Sequence, residues 1–211
     1  MTRNQFPRKL VYGVGINDMP VGFWKNKLYQ TWKSMIQRCY CSVFQSTHPT
    51  YIGTTVCKEW LTLSNFVAWV ESQDGEGKEI DKDILCPGNK IYSPETCVFV
   101  SRQLNALLCG SDATRGNYPK GVYWRKDRMK YQVIMRKFGK SYLTGTFDCV
   151  EEAHRAYCEA KSAHIREVAE NLTDADTSDI ERTRAGLLEH ADIEERLWKE
   201  AQGESVPTLW G

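Results

Sequence analysis

Residues 121–147 read GVYWRKDRMKYQVIMRKFGKSYLTGTF, and this stretch decides the fold of the second half of the chain. Apolar and polar residues alternate in three runs, at 121–126, 130–137 and 141–147. A period of two predicts strands, and the short breaks between the runs predict turns. We therefore expect a three-stranded antiparallel sheet in this part of the chain.

The alternation gives this sheet two different faces. Val122, Trp124 and Val133 fall on one face, and a helix predicted from about Val150 to Arg166, with Asp148 as its N-cap, carries an alanine-rich stripe that can pack against them. The opposite face and its edges carry polar, aromatic and basic side chains: Tyr123, Arg125, Lys130, Gln132, Arg136, Lys137 and Lys140. Since Arg can bond a guanine edge bidentately and Lys can contact phosphates, this face predicts binding of double-stranded DNA.

The formal net charge of +1 hides a segregation of charge along the chain. Residues 1–50 carry a net +6 and residues 120–140 a net +7, whereas residues 167–211 carry a net −8. Basic blocks beside an acidic block predict a polyanion-binding body with an acidic tail. Ser178 and Glu181 form a capping-box pattern, so we expect the tail to be helical to about Gln202. Such a tail could bind a protein partner, or cover the basic sheet in the free protein.

Residues 120–165 resemble the AP2 DNA-binding domain. The matching segments are Gly121-Val-Tyr-Trp-Arg125, Lys130-Tyr-Gln-Val-Ile-Met-Arg136, Leu143-Thr-Gly-Thr-Phe147 and Glu152-Ala-His-Arg-Ala-Tyr-Cys-Glu-Ala160. The resemblance implies DNA binding through the exposed face of the sheet, because Arg125 and Arg136 match family arginines that contact DNA and Lys130 matches a family lysine. Tyr123 stands where plant members have Arg, so the plant DNA target is not implied.

Residues 79–108 are predicted to form a strand over 79–85, a loop, a second strand and a helix capped by Ser101. This order of elements can hold one metal ion in a small nuclease, in which an acid and an amide or His bind the ion and a base activates water. The stretch resembles an HNH endonuclease module through Ile80-Asp-Lys-Asp83, Asn89, Ser93-Pro-Glu-Thr-Cys97 and Asn105. Together with upstream segments such as Trp32-Lys-Ser-Met35 and Val56-Cys-Lys-Glu-Trp60, it resembles phage-encoded HNH homing endonucleases that also carry a C-terminal AP2 domain.

The resemblance implies roles for a few residues of this module. Asp81 and Asn105 stand at positions of metal ligands, which implies one divalent ion, Mg²⁺. Lys82 stands where the family has its general-base His, and Thr96 where it has Asn. Asp81, Lys82 and Asn105 are therefore the candidate catalytic residues, with His48 as an alternative base.

Three functions follow from these expectations. The first is a DNA endonuclease. The second is a regulator or phage accessory factor that keeps the nuclease fold but does not cut DNA, which the change at Lys82 favours because a lysine with its usual pKa of about 10.4 is a poor base at neutral pH. The third is a protein-interaction factor that acts through the acidic tail.

The cysteines give no standard zinc signature, since none of the eight belongs to a CxxC pair. Cys39, Cys57 and Cys97 accompany three motif segments and could hold a structural zinc ion, but we favour buried thiols. The apolar runs are far shorter than the ~20 residues that span a bilayer, and the N-terminus has no apolar stretch of the secretory type. We therefore expect a cytoplasmic protein, in the bacterial host if phage-encoded, with neither a membrane partner nor a small-molecule cofactor.

These patterns predict an α+β chain in four parts. Residues 1–110 are expected to be an HNH-like domain with a ββα-metal module and flanking helices over 27–40 and about 59–70. Residues 111–119 are expected to be a linker, and residues 120–168 an AP2-like three-stranded antiparallel sheet packed on one helix. Residues 169–211 form the acidic, helical tail.

Overall fold

The computed structural model describes residues 9–108, 118–137 and 139–201, with the side chains at 200 and 201 excepted. By its internal contacts the chain divides into two compact units, and the division falls between Phe99 and Val100. It precedes the predicted linker at 111–119, most of which lies outside the described residues. Helices accompany small sheets along the chain, so the predicted α+β class is confirmed.

The first unit consists of short elements. Its helices are α1 (Lys27–Tyr40), α2 (Ser42–Thr47) and α3 (Leu63–Glu71), with 3-10 turns at Phe23–Lys25, Pro49–Tyr51 and Glu59–Leu61. Its strands are β1 (Thr55–Val56), β2 (Glu79–Asp81), β3 (Ile91–Tyr92) and β4 (Val98–Val100), the last of which leads into the second unit. β1 pairs with β3 in parallel, and β2 pairs with β4. The helices predicted over 27–40 and 59–70 are confirmed, the second as a 3-10 turn followed by α3.

The core of the first unit forms on the apolar face of α1. This helix begins after Asn26, whose side chain accepts the N–H of Leu28 at 2.8 Å. Trp32 is fully buried, and its indole Nε1 donates to the carbonyl of Trp60 at 2.6 Å. A Cβ at Gly15 would lie 2.8 Å from Cη2 of Trp32, so glycine at this position lets the N-terminal segment close over the indole.

The second unit contains the three-stranded sheet and the long helices. Its elements are α4 (Arg102–Leu108), β5 (Val122–Arg125), β6 (Lys130–Lys137), β7 (Lys140–Phe147), α5 (Val150–Glu170) and α6 (Ile180–Ala201). The strand order is β5-β6-β7 and both pairs are antiparallel, as the alternation predicts. Ser101 caps α4 as expected, because its Oγ accepts the N–H of Leu104 at 3.2 Å.

α5 covers the inner face of this sheet. Val122 and Val133 lie opposite each other on the strands and form a buried cluster with Ala153, Tyr157 and Cys158 of the helix. The small Ala153 is fully buried, which lets the helix axis approach the strands closely. α5 thereby closes one face of the sheet, and on the other face Tyr123, Arg125 and Arg136 are exposed among the described residues.

Candidate nucleic-acid interface

The strand register gathers the predicted DNA-contacting side chains on the outer face of the sheet. The neighbouring pairs on this face are Arg125–Lys130, Tyr123–Gln132, Gln132–Thr146, Ile134–Leu143 and Arg136–Ser141. The side chains of successive strand residues point to opposite faces, so these residues lie opposite the cluster that α5 covers. Tyr123, Arg125 and Arg136 are exposed and Gln132 is half-buried, as expected of a surface beside a neighbouring strand.

An apolar pair, Ile134 and Leu143, lies in the middle of the outer face, and the alternation within the strands did not predict that these two residues would be neighbours. A bulge between Val133 and Ile134 changes the register of β6 against β7 and places Ile134 beside Leu143. Leu143 is 59% exposed. The alternation within 141–147 gives no sign of a bulge, because a bulge depends on how two strands pair. Aliphatic side chains on such a face suit contact with thymine methyl groups.

Arg125, at one end of the outer face, is held by an acid from the adjacent turn. Its Nε donates to Oδ1 of Asp127 at 3.0 Å and its Nη2 donates to Oδ2 at 3.1 Å. These hydrogen bonds raise the pKa of the Arg125 guanidinium and lower the pKa of the Asp127 carboxyl. Both side chains are about half exposed, so the pair lies at the surface.

Lys130, next to Arg125 across the strands, forms an ion pair with Asp148. Asp148 was expected to be the N-cap of α5, and that expectation is wrong. The N-cap is Cys149, whose side chain makes no capping hydrogen bond. Lys130 engages the Asp148 carboxylate instead, so the acid belongs to the edge of the sheet.

The opposite end of the outer face carries Arg136, and the adjoining hairpin carries Lys140. Arg136 and Lys140 are exposed and form no ion pair within the part of the chain that the structure describes. Lys137, beside Lys140 in the hairpin, donates to Glu167 of α5 at 3.1 Å and is therefore turned to the helix side. Arg136 and Lys140 can thus contact phosphates without first breaking an ion pair.

The acidic helix α6 packs along α5, on the side away from the outer face. Arg166 of α5 donates to Asp192 at 2.5 Å and to Glu195 at 3.2 Å. Glu194 lies 3.4 Å from Nζ of Lys120. Asp192, Glu194 and Glu195 therefore pair with basic residues of their own unit, and the described part of the tail packs on α5 instead of on the outer face of the sheet.

In the first unit, Asp81 ends β2 and shapes the turn that follows it. Its Oδ1 accepts the N–H of Asp83 at 2.8 Å and the N–H of Ile84 at 2.7 Å. Burial raises the pKa of the Asp81 carboxyl despite these hydrogen bonds. Oδ2 has no hydrogen-bond partner among the described residues. The strand predicted over 79–85 stops at Asp81 because this carboxylate turns the backbone.

Lys82 is 6% exposed, and its ammonium group is already engaged. It forms an ion pair with Asp83, and its Nζ donates to the carbonyl of Asn89 at 3.0 Å. Asn89 in turn donates from Nδ2 to the carbonyl of Lys82 at 2.8 Å, which ties together the two ends of the loop. An ammonium group held as a donor has no lone pair with which to take a proton from water.

Asn105 lies on α4 and therefore in the second unit, whereas Asp81 lies in the first. α4 is fixed within its own unit by Lys161 of α5, whose Nζ donates to the carbonyl of Leu107 at 2.5 Å. Thr96, at the other position where the HNH resemblance differs, donates from Oγ1 to the carbonyl of Ile91 at 2.7 Å and closes the turn before β4.

His48 and the cysteines occupy structural positions in the first unit. The His48 ring stacks on Phe44 with ring centroids 4.1 Å apart. Cys39 and Cys97 are free thiols in the core, and burial raises the pKa of each to about 12. Cys57 is a half-buried free thiol. Within residues 9–108, 118–137 and 139–201, no group of three or more His, Cys, Asp or Glu side chains is placed to hold a metal ion.

No protein-family model, curated protein or solved structure matches the chain. None of the described helices combines the length and the apolar character that crossing a bilayer requires. What the chain binds must therefore be inferred from its own residues and their geometry.

Proposed function

We propose that the chain binds double-stranded DNA through the outer face of the β5-β6-β7 sheet. One observation carries the proposal: the strand register puts Tyr123, Arg125, Gln132 and Arg136 on a single face that α5 does not cover. The major groove is wide enough to admit an antiparallel β-ribbon, and strands are an established means of reading base edges. The class of protein that this site fits best is a DNA-binding protein with a β-sheet reader.

The side chains on and beside this face suit two kinds of DNA contact, to phosphates and to base edges. Arg136 on this face and Lys140 in the adjoining hairpin have no ion-pair partner among the described residues and suit phosphate contacts, which supply affinity without sequence information. Arg125 and Gln132 have the donor and acceptor groups that read base edges. Lys130 can exchange Asp148 for a phosphate, because an exposed ion pair contributes only about 0–1 kcal/mol.

The narrower form of the proposal is a protein like the phage HNH homing endonucleases that carry an AP2 domain, acting as a regulator or accessory factor that binds DNA without cutting it. The state of Lys82 supports this form. Its ammonium group is buried and donates to Asn89, so the position of the usual general base holds a group that stabilises a loop.

Replacing Arg136 by Ala tests the sheet. We expect Arg136→Ala to weaken binding of the full chain to a duplex by about tenfold and to lower the dependence of the affinity on salt. Arg196→Ala is the matched control, because Arg196 is an exposed arginine of the same unit on α6. Fluorescence anisotropy at two salt concentrations measures both quantities. Equal affinities of wild type and Arg136→Ala would exclude the outer face as the binding surface.

A second candidate function is metal-dependent hydrolysis of phosphodiester bonds, which the unbonded Oδ2 of Asp81 favours. A carboxylate is an oxygen donor of the kind that Mg²⁺ prefers, so Asp81 suits a hard cation. Asp81 would supply the charged ligand of such an ion, and a bound ion would stabilise the leaving oxygen of the scissile phosphate. Asp81 itself would be oriented by the backbone N–H groups of Asp83 and Ile84.

Plasmid cleavage with Mg²⁺ or Mn²⁺ tests this second candidate. If the chain hydrolyses DNA, Asp81→Asn should lower the rate by about 100-fold or more, because the charged metal ligand is lost. Glu79→Gln removes an exposed acid from the same strand and should keep the rate. If the wild-type protein cleaves no duplex with either ion, hydrolysis is excluded and the DNA-binding proposal is unaffected.

A further inference from the structure

Asp127 holds Arg125 by one edge of the guanidinium group. The two hydrogen bonds of the pair leave from Nε and Nη2, and they reach Oδ1 and Oδ2 of the same carboxylate. A planar guanidinium has a second edge, formed by Nη1 and the remaining N–H of Nη2, which carries the same two-donor geometry. The Arg125 side chain has no other hydrogen-bond or ion-pair partner in the described part of the chain.

The position of the pair leaves this second edge accessible. Arg125 is the last residue of β5 and lies on the outer face, in the same row as Lys130. Asp127 follows in the turn between β5 and β6. The Arg125 side chain is 46% exposed and the Asp127 side chain 57% exposed, so neither is enclosed by the protein.

We propose that Asp127 is a positioning residue, which fixes the Arg125 guanidinium so that its free edge bonds O6 and N7 of a guanine in the major groove. A bidentate Arg contact to these two acceptors is the commonest specific contact to guanine. A long, flexible side chain loses less conformational entropy on binding when it is already held in one geometry. This inference rests on the proposed DNA-binding function and adds to it a base identity and the residue that enforces it.

Because Asp127 is negatively charged, its removal should change the general affinity for DNA and the preference for guanine in different ways. An acid at the binding face repels phosphates, so its removal should strengthen binding to any DNA. If Asp127 also orients Arg125, the same removal should weaken the preference for guanine. General affinity and base preference then change in opposite directions, whereas an acid that only repels DNA would affect the first alone.

Asp148 provides the matched control. It is an exposed acid at the same end of the sheet, and it pairs with Lys130, a phosphate-type contact, instead of with Arg125. Asp148→Ala and Asp127→Ala remove the same charge from the same region. Asp127→Asn removes that charge too but keeps one acceptor oxygen for the guanidinium.

Selection from a pool of randomised duplexes, followed by anisotropy on the selected and an unselected duplex, tests the inference with the full chain. We expect wild type and Asp148→Ala to select guanine at one position, and Arg125→Ala to lose that preference. Asp127→Ala should lower the guanine preference there by about tenfold, while its affinity for the unselected duplex rises as much as that of Asp148→Ala. Asp127→Asn should retain more of the preference than Asp127→Ala.

Two results would overturn the inference, and they can be told apart. If Arg125→Ala and Arg136→Ala weaken binding but Asp127→Ala selects the same sites as wild type, the positioning role is wrong and the proposed DNA-binding function stands. If the wild-type protein binds no duplex, or if Arg125→Ala and Arg136→Ala both bind like wild type, both the inference and the proposed function fail.

Discussion

Gly121 is the residue on which the packing of α5 against the sheet depends most directly. Its φ is +79°, and a Cβ built on it would lie 1.9 Å from Cδ2 of Tyr157. Two features therefore disfavour a side chain at this position: the left-handed backbone conformation and the buried ring of Tyr157. The sequence places a glycine just before the first strand, but only the structure shows that the ring of a helix residue about 36 positions later fills the space of the missing side chain.

Gly121→Ala should lower the free energy of unfolding of the second unit by about 3 kcal/mol, because overpacking against Tyr157 adds to an unfavourable backbone. Gly139→Ala is the control. Gly139 has a φ of +76° but nothing within 4 Å of its built Cβ, so the change should cost only about 1 kcal/mol. Urea unfolding followed by circular dichroism measures both variants. Equal losses of unfolding free energy in the two variants would show that the contact with Tyr157 does not add to the cost of the substitution.

At the scale of elements, the sequence predicts what depends on periodicity and misses what depends on register. The alternation around Val122 and Val133 correctly separates the two faces of the sheet. The parallel pair of β1 and β3 was not predicted, because strands of two residues have no period to detect. The ion pairs of Arg125 and Lys130 were also missed, since they depend on how a turn and a strand end meet in space.

The two histidines of α5 should make the second unit less stable at acid pH than at neutral pH. His164 of this helix is buried, and burial lowers its pKa; burial lowers the pKa of His154 as well. Because the unfolded chain, with a His pKa of about 6.5, takes up the proton more readily than the folded chain, stability should fall as the pH drops below about 6.5.

His164→Asn removes one of these titrating groups and should make the fall in stability between pH 7.5 and pH 5 smaller. Unfolding free energies of the second unit from urea titrations at several pH values measure the effect. His48→Asn, a change in the first unit, should leave this dependence as it is in the wild-type protein. A pH dependence that stays the same in His164→Asn would contradict the role of the buried ring.

At the scale of the whole molecule, some of the acidic and basic residues that cancel in the net charge also meet as ion pairs within the second unit. The acidic tail and the basic block at 120–140 belong to the same compact unit, and Glu194 meets Lys120 there. Two further acids of α6, Asp192 and Glu195, pair with Arg166 of α5. The sequence predicted an acidic helix but left open what it contacts, because charge alone does not decide between the helix side and the outer face of the sheet.

Leu187→Ala tests whether α6 is part of the folded unit. Leu187 is fully buried, so its truncation should lower the free energy of unfolding by about 3 kcal/mol. Leu197→Ala is the control on the same helix, because Leu197 is 49% exposed and its truncation should cost less than about 1 kcal/mol. Thermal and urea unfolding of the full chain give the values. A tail that covers the proposed DNA-binding face would instead predict tighter DNA binding by Leu187→Ala, with little loss of stability.

The central claim, that DNA lies on the outer face of the sheet, is tested most directly by the reactivity of lysines with and without a DNA duplex. Chemical acetylation of the full chain, read by mass spectrometry, reports each lysine separately. We predict that DNA protects Lys130, which the register places on the outer face beside Arg125, and leaves Lys199 on α6 as reactive as in the free protein. Unchanged reactivity of Lys130 under conditions where the duplex is bound would contradict the claim.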